Sequence, residues 1–80
     1  MILPIDTQPE SSLYFFGAKV LEVLNEQPEN KGYFFDVFNL VKKRVKISLK
    51  LYQLTLDWLF LINIAKVNEE GVVYIVHKQT

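Results

Sequence analysis

The segment Leu49–Ile62, LKLYQLTLDWLFLI, is apolar on two opposite faces of the helix that its spacing predicts. At about 100° per residue, one face carries Leu49, Tyr52, Leu56, Leu59 and Phe60, and the other carries Leu51, Leu54, Trp58 and Leu61. A helix at the surface of an independent domain needs only one apolar face to form a core. The second face therefore needs a cover, supplied either by this chain or by another molecule.

The length of the chain restricts how that cover can be made. Eighty residues form one small domain that buries roughly 60–65% of its unfolded surface. Leaving four large apolar side chains in water would forgo roughly 6–12 kcal/mol, which is comparable with the whole stability of a domain. Two possibilities remain open. In the first, the N-terminal arm, the C-terminal hairpin and the first helix enclose the second face. In the second, part of that face forms a protein interface with Trp58 as its anchor.

Composition excludes several classes of protein. Half of the residues are apolar, nine basic residues balance nine acidic ones, and cysteine is absent, so the chain is neither disordered nor held by disulfides. The N-terminal sequence MILPIDTQPE has neither the basic region nor the long apolar region of a signal peptide. The densest apolar run, Leu54–Ala65, is too short to cross a bilayer. We therefore expect a cytoplasmic protein with no membrane segment.

Apolar spacing predicts three helices, at about Leu13–Asn25, Tyr33–Val45 and Leu49–Ile62. Ser11 or Ser12 is a candidate N-cap of the first helix, and Ser48 is a candidate N-cap of the third. Gly17 lies inside the first helix, where it costs roughly 1 kcal/mol relative to alanine, and this indicates a close helix crossing. Asn63 lies where the third helix must end, in a position that favours the left-handed conformation.

Two β-rich runs, Ile64–Asn68 and Val72–His77, are joined by Glu69-Glu70-Gly71 and predict a hairpin. Residues 1–10 read as an extended arm, in which Met1–Ile5 is apolar enough to dock. Three helices followed by a hairpin predict an α+β winged helix. In it, residues 1–80 form one domain, the hairpin is the wing and the third helix takes the recognition position.

Winged helices often bind DNA, but the charges here argue against sequence-specific readout. The cations that could contact phosphates are Lys42, Lys43, Arg44, Lys46 and Lys50. They equally fit a solvated helix end that complements the helix dipole. The third helix offers only Lys50 and Gln53 for reading bases, and Asp57 beside them would be repelled by phosphates. These three polar residues fit the rim of a protein interface better.

Catalysis and metal binding have little support in the sequence. His77 is the only histidine, and no second histidine or cysteine stands at metal-ligand spacing. The serines are better explained as helix caps than as nucleophiles, and no glycine-rich phosphate loop is present. We therefore expect no enzyme activity, no metal and no cofactor.

Three phrases of the sequence carry a family resemblance: MILP at Met1–Pro4, GAKVLEVL at Gly17–Leu24, and LDWLF at Leu56–Phe60 before a short hairpin. They resemble the small middle components of ABC-three-component systems. These are winged-helix proteins encoded between an SMC-like or ABC-type ATPase and an effector in bacterial defence loci. The resemblance implies an adaptor without activity of its own. It also implies two partners, the ATPase and a nuclease or other effector, in defence against phage or plasmids.

The leading hypothesis is thus an adaptor that docks protein through Leu51, Leu54, Trp58 and Leu61, with Lys50, Gln53 and Asp57 at the rim. The alternative is a DNA-binding regulator or DNA-contacting subunit that uses the basic cluster on phosphates. A third possibility is a homodimer formed through the second apolar face. Apolar docking should survive moderate salt, whereas phosphate contacts should weaken steeply.

Overall fold

Three helices and three short strands make up the described part of the chain, residues 13–76 of a computed structural model. In chain order they are α1 (Leu13–Glu26), a 3₁₀ turn (Pro28–Asn30), β1 (Lys31–Tyr33), α2 (Phe34–Lys42), α3 (Leu49–Leu61), β2 (Ala65–Val67) and β3 (Val72–Ile75). The fold is α+β and winged-helix-like, as predicted. The N-terminal arm, Ser11, Ser12 and His77 lie outside the described residues. Between residues 13 and 76, no helix combines the length and the apolar character needed to cross a membrane.

Both ends of α3 follow from local side-chain and backbone chemistry. The Ser48 hydroxyl accepts a hydrogen bond from the Leu51 amide at 3.1 Å, so the predicted N-cap is confirmed. At the other end, Asn63 adopts a left-handed φ of 66°, as its position predicted. The amides of Ile64 and Asn63 donate to the carbonyls of Leu59 and Phe60, which is the Schellman arrangement. This motif directs Ile64 back toward Leu59.

The sheet has the strand order β1-β3-β2, and all of its pairs are antiparallel. The predicted hairpin is confirmed as β2 and β3, with Lys66 opposite Tyr74. In the turn between β2 and β3, the Asn68 side-chain oxygen accepts hydrogen bonds from two backbone amides. Gly71 in the same turn has a φ of 82°.

The strand β1 was missed by the sequence prediction, which placed Lys31 and Gly32 in a turn and Tyr33 in the second helix. Three residues with a central glycine show no alternating pattern, and β1 exists because it pairs with the edge of β3. The second helix also ends earlier than predicted, at Lys42 rather than Val45. There the chain turns so that Ile47 enters the core.

The core lies where α1 packs against α2, α3 and the sheet. Its buried side chains are Phe16, Val20, Val23, Leu24, Val37, Val41, Ile47, Tyr52, Leu56, Leu59, Ala65 and Val73. Thr55 is also buried, and its hydroxyl is satisfied because it donates to the Leu51 carbonyl at 2.8 Å. Leu49, which was expected on the core face of α3, is instead 39% exposed at the start of the helix.

Tyr52 joins α3 to α2 through the centre of this core. Its ring lies 5.0 Å from the rings of both Phe34 and Phe38, and its hydroxyl donates to the Phe34 carbonyl at 2.6 Å. Burial raises the pKa of the Tyr52 hydroxyl well above its ordinary value. The neutral form is therefore the one that stabilises the fold.

We predict that Tyr52→Phe lowers the free energy of unfolding by about 1 kcal/mol at neutral pH, because one hydrogen bond is lost. Since the folded-state pKa is raised, this contribution is present below about pH 10 and lost as the pH rises further. The difference between the two proteins should therefore narrow in alkali. Urea unfolding measured at neutral pH and in alkali checks this. Tyr33→Phe is the control, because Tyr33 is 58% exposed. A difference that does not change with pH would contradict the assignment.

Candidate functional site

The predicted second face of α3 divides into an inner and an outer part. Leu51 and Trp58 are partly buried and pack against the core. Leu54 is 50% exposed and Leu61 is 84% exposed. Four residues in the sequence pattern thus give two side chains that support the helix and two that face solvent.

Trp58 lies over Gly17, where α1 and α3 approach closely. A Cβ atom on Gly17 would lie only 3.0 Å from Cζ3 of the Trp58 indole, so the missing side chain is what admits the ring. This contact confirms the predicted close crossing at Gly17. The Tyr14 ring lies 6.1 Å from the indole, tilted by 59°.

An apolar groove of about 440 Å³ runs between α1 and the C-terminal end of α3. Its lining consists of Tyr14, Phe15, Gly17, Ala18, Leu21, Trp58, Leu59, Ile62 and Ile64. The Schellman turn after α3 contributes Ile62 and Ile64, which are 45% and 37% exposed. We call this feature the α1–α3 groove.

The pattern of α3 alone does not indicate this groove, although α1 carries a signal for it. Tyr14, Gly17, Ala18 and Leu21 follow the helical spacing i, i+3, i+4, i+7. They form a second row of apolar or small residues beside the core row of α1. That row would have pointed to a second contact surface on the first helix as well as on the third.

The predicted rim residues Lys50, Gln53 and Asp57 are all exposed. Helical spacing places Lys50 and Asp57 directly beside Leu54 and Leu61. The result is an outer strip on α3 that combines two exposed leucines with flanking charges of both signs. Gln53 and Asp57 also border a shallow depression whose other lining residues are Phe34, Leu56 and Phe60.

The basic cluster of Lys42, Lys43, Arg44, Lys46 and Lys50 presents less free positive charge than the sequence indicates. The Arg44 guanidinium forms ion pairs with Glu22, at 3.5 Å, and with Glu26, both on α1. Its hydrogen bond with Glu26 lowers the pKa of that carboxyl. The Lys42 ammonium lies 5.1 Å from the centre of the Phe38 ring. Arg44 thus joins the end of α2 to α1, and a phosphate would have to compete with two carboxylates for it.

We predict that Arg44→Gln lowers stability slightly at neutral pH, and that this effect disappears in acid. The pKa of Glu26 is lowered in the folded protein, so its contribution is present above its ordinary pKa and lost as the pH falls through the folded value. Urea midpoints of the wild type and the variant, compared at neutral pH and at about pH 3, check this. Lys43→Gln, which removes an exposed charge from the same segment, is the control. Equal midpoints at neutral pH would show that Arg44 is not held by α1.

Within residues 13–76, no three side chains of the metal-ligating kinds histidine, cysteine, aspartate and glutamate come together as a site. The candidate site consists of the outer strip of α3, with Leu54 and Leu61 exposed, and the neighbouring apolar α1–α3 groove.

Comparison with protein families finds a match that covers most of the chain. The family model for the ABC-three component (ABC-3C) system Middle Component 6 matches residues 3–76. No curated protein and no solved structure gives a match.

Proposed function

The chain belongs to the ABC-three component system Middle Component 6 family, and on this basis we propose that it is a non-catalytic adaptor subunit of such a system. The proposed partners are an SMC-like or ABC-type ATPase and an effector protein. The complex acts in the bacterial cytoplasm, in defence against phage or plasmids. The adaptor supplies surfaces that hold these partners together, and chemistry belongs to the other components.

The observation that carries this proposal is the exposure of Leu61 and Leu54 on α3. Burying a leucine side chain completely is worth roughly 1.5–3 kcal/mol. A neighbouring protein that covers both residues gains much of that free energy, while the folded chain alone forgoes it. Leu54 and Leu61 follow each other along the same side of α3, so one apolar groove or patch on a partner covers both.

Leu51 and Trp58 complete the proposed interface from its inner side. Both pack against the core, so they hold α3 rigid and fix the direction of Leu54 and Leu61. Residues at the centre of an interface work best when they are well packed and pre-ordered, because less entropy is lost on binding. Lys50, Gln53 and Asp57 would then set the register at the rim.

The charges support a protein partner over DNA. The 80 residues carry no net charge, whereas phosphate binding draws its affinity from excess cations. Arg44 is engaged by Glu22 and Glu26. On α3, the carboxylate of Asp57 lies on the exposed side, where it would face phosphates. A DNA complex would therefore need rearranged ion pairs and would leave two leucines against a polar groove.

The test is co-purification of the chain with the ATPase and effector components encoded beside it. We predict that Leu54→Asp/Leu61→Asp removes at least about 90% of the bound partner, because two carboxylates would be buried in an apolar contact. Both substituted positions are exposed, so the isolated variant should keep its fold, as circular dichroism can show. Phe35→Asp, at an apolar residue of α2 that is 60% exposed, is the matched control.

Three results would contradict the proposal. Partner retention by the double variant would remove the outer strip from the interface. A complex that forms only with DNA and dissociates steeply with salt would favour the DNA-contacting subunit. A mass equal to two copies of the chain, with no other component bound, would make the surface a homodimer interface.

A further inference from the structure

The α1–α3 groove is an apolar site that the outer strip of α3 does not use. Its lining side chains are apolar apart from the Tyr14 hydroxyl and the Trp58 indole N–H, and the lining residues Tyr14, Ile62 and Ile64 are exposed. Leu54 and Leu61 lie outside that lining. An occupant that stays within this lining therefore leaves both leucines free for a partner.

We infer that the apolar segment Met1–Ile5 of the same chain occupies the α1–α3 groove. The first reason is the position of the chain. The described fold begins at Leu13, and Tyr14 in that first turn of α1 already lines the groove. The preceding residues therefore reach the fold at the edge of the groove and not on the far side of the molecule.

The second reason is reach. The seven residues Asp6–Ser12 span up to about 23 Å when extended. The stretch of α1 that lines the groove, from Tyr14 to Leu21, is about 10 Å long. The connection is long enough for Met1–Ile5 to return along the whole α1 side of the groove.

The third reason is chemical. Met1, Ile2, Leu3 and Ile5 are apolar, and the next residues, Asp6–Glu10, are mostly polar. The apolar segment thus matches the apolar lining of the groove, and a mostly polar segment connects it to α1. Pro4 has no backbone N–H donor, and a proline disfavours the helical conformation at the residue before it. Extended proline-containing segments commonly dock on grooves with aromatic walls, and Tyr14, Phe15 and Trp58 supply such walls here.

The family match adds support of a different kind. The family model matches residues 3–76, so Leu3, Pro4 and Ile5 lie in the part of the chain that the family model covers. A segment that completes the packing of α1 and α3 fits that extent. In this assignment the arm covers the groove side of Trp58, and the outer strip stays open.

The only tryptophan in the chain is Trp58, so its fluorescence reports directly on the groove. The experiment compares the full-length wild type with Leu3→Asp/Ile5→Asp. We expect the variant to show a red-shifted emission maximum and stronger quenching by acrylamide, because water enters the groove when the arm leaves it. Thr7→Asp/Gln8→Asp adds the same two charges to the polar connection and should leave both readouts unchanged.

A second measurement needs no variant. In the isolated wild-type chain, nuclear Overhauser contacts should join the methyl groups of Leu3 or Ile5 to the Trp58 indole. A mixture of differently labelled chains should show these contacts within one chain only. Contacts between chains would mean that the arm of a second copy fills the groove. Absent contacts, or emission that is the same in both proteins, would overturn the assignment. Because no partner is present, these outcomes are independent of whether the outer strip binds an ATPase or effector.

Discussion

The close approach of α1 and α3 at Gly17 is the contact on which the rest of the structure depends. The indole of Trp58 rests where a side chain of α1 would otherwise stand. This lets the two helices bury Val20, Val23, Leu56 and Leu59 in one core. The same crossing leaves a groove on one side of the indole and directs the outer strip of α3 to the other. Core, groove and exposed face therefore share one geometric origin.

Local chemistry made much of this fold predictable. The Ser48 cap, the left-handed Asn63 and the hairpin turn at Gly71 each depend on a few neighbouring residues, so a sequence pattern indicates them directly. The strand β1 depends on pairing with β3, some forty residues away, and its three residues carry no pattern of their own. Arg44 is a similar case, because its partners on α1 are set by helix packing and not by spacing along the chain.

The candidate site was predictable only in part, for the same reason. Periodicity identified Leu51, Leu54, Trp58 and Leu61 as a second apolar face, but it could not divide them. The structure turns Trp58 toward Gly17 and leaves Leu61 in solvent. A helical pattern gives the direction in which each side chain leaves the helix axis. Whether that side chain is buried depends on which other part of the fold lies in that direction. The groove is formed by α1 and α3 together, so the apolar row on α1 indicates it only once the position of α3 is known.

The proposed adaptor role rests on the outer strip of α3 meeting a protein. Hydroxyl-radical footprinting measures side-chain exposure at single residues, and it should be applied to the isolated chain and to its complex with the ATPase and effector components. We predict that oxidation of Leu54 and Leu61 falls severalfold in the complex, as buried apolar side chains are shielded from solvent. Oxidation of Phe35 should stay unchanged. Protection confined to the basic segment 42–50, with both leucines still fully oxidised, would contradict the proposed interface.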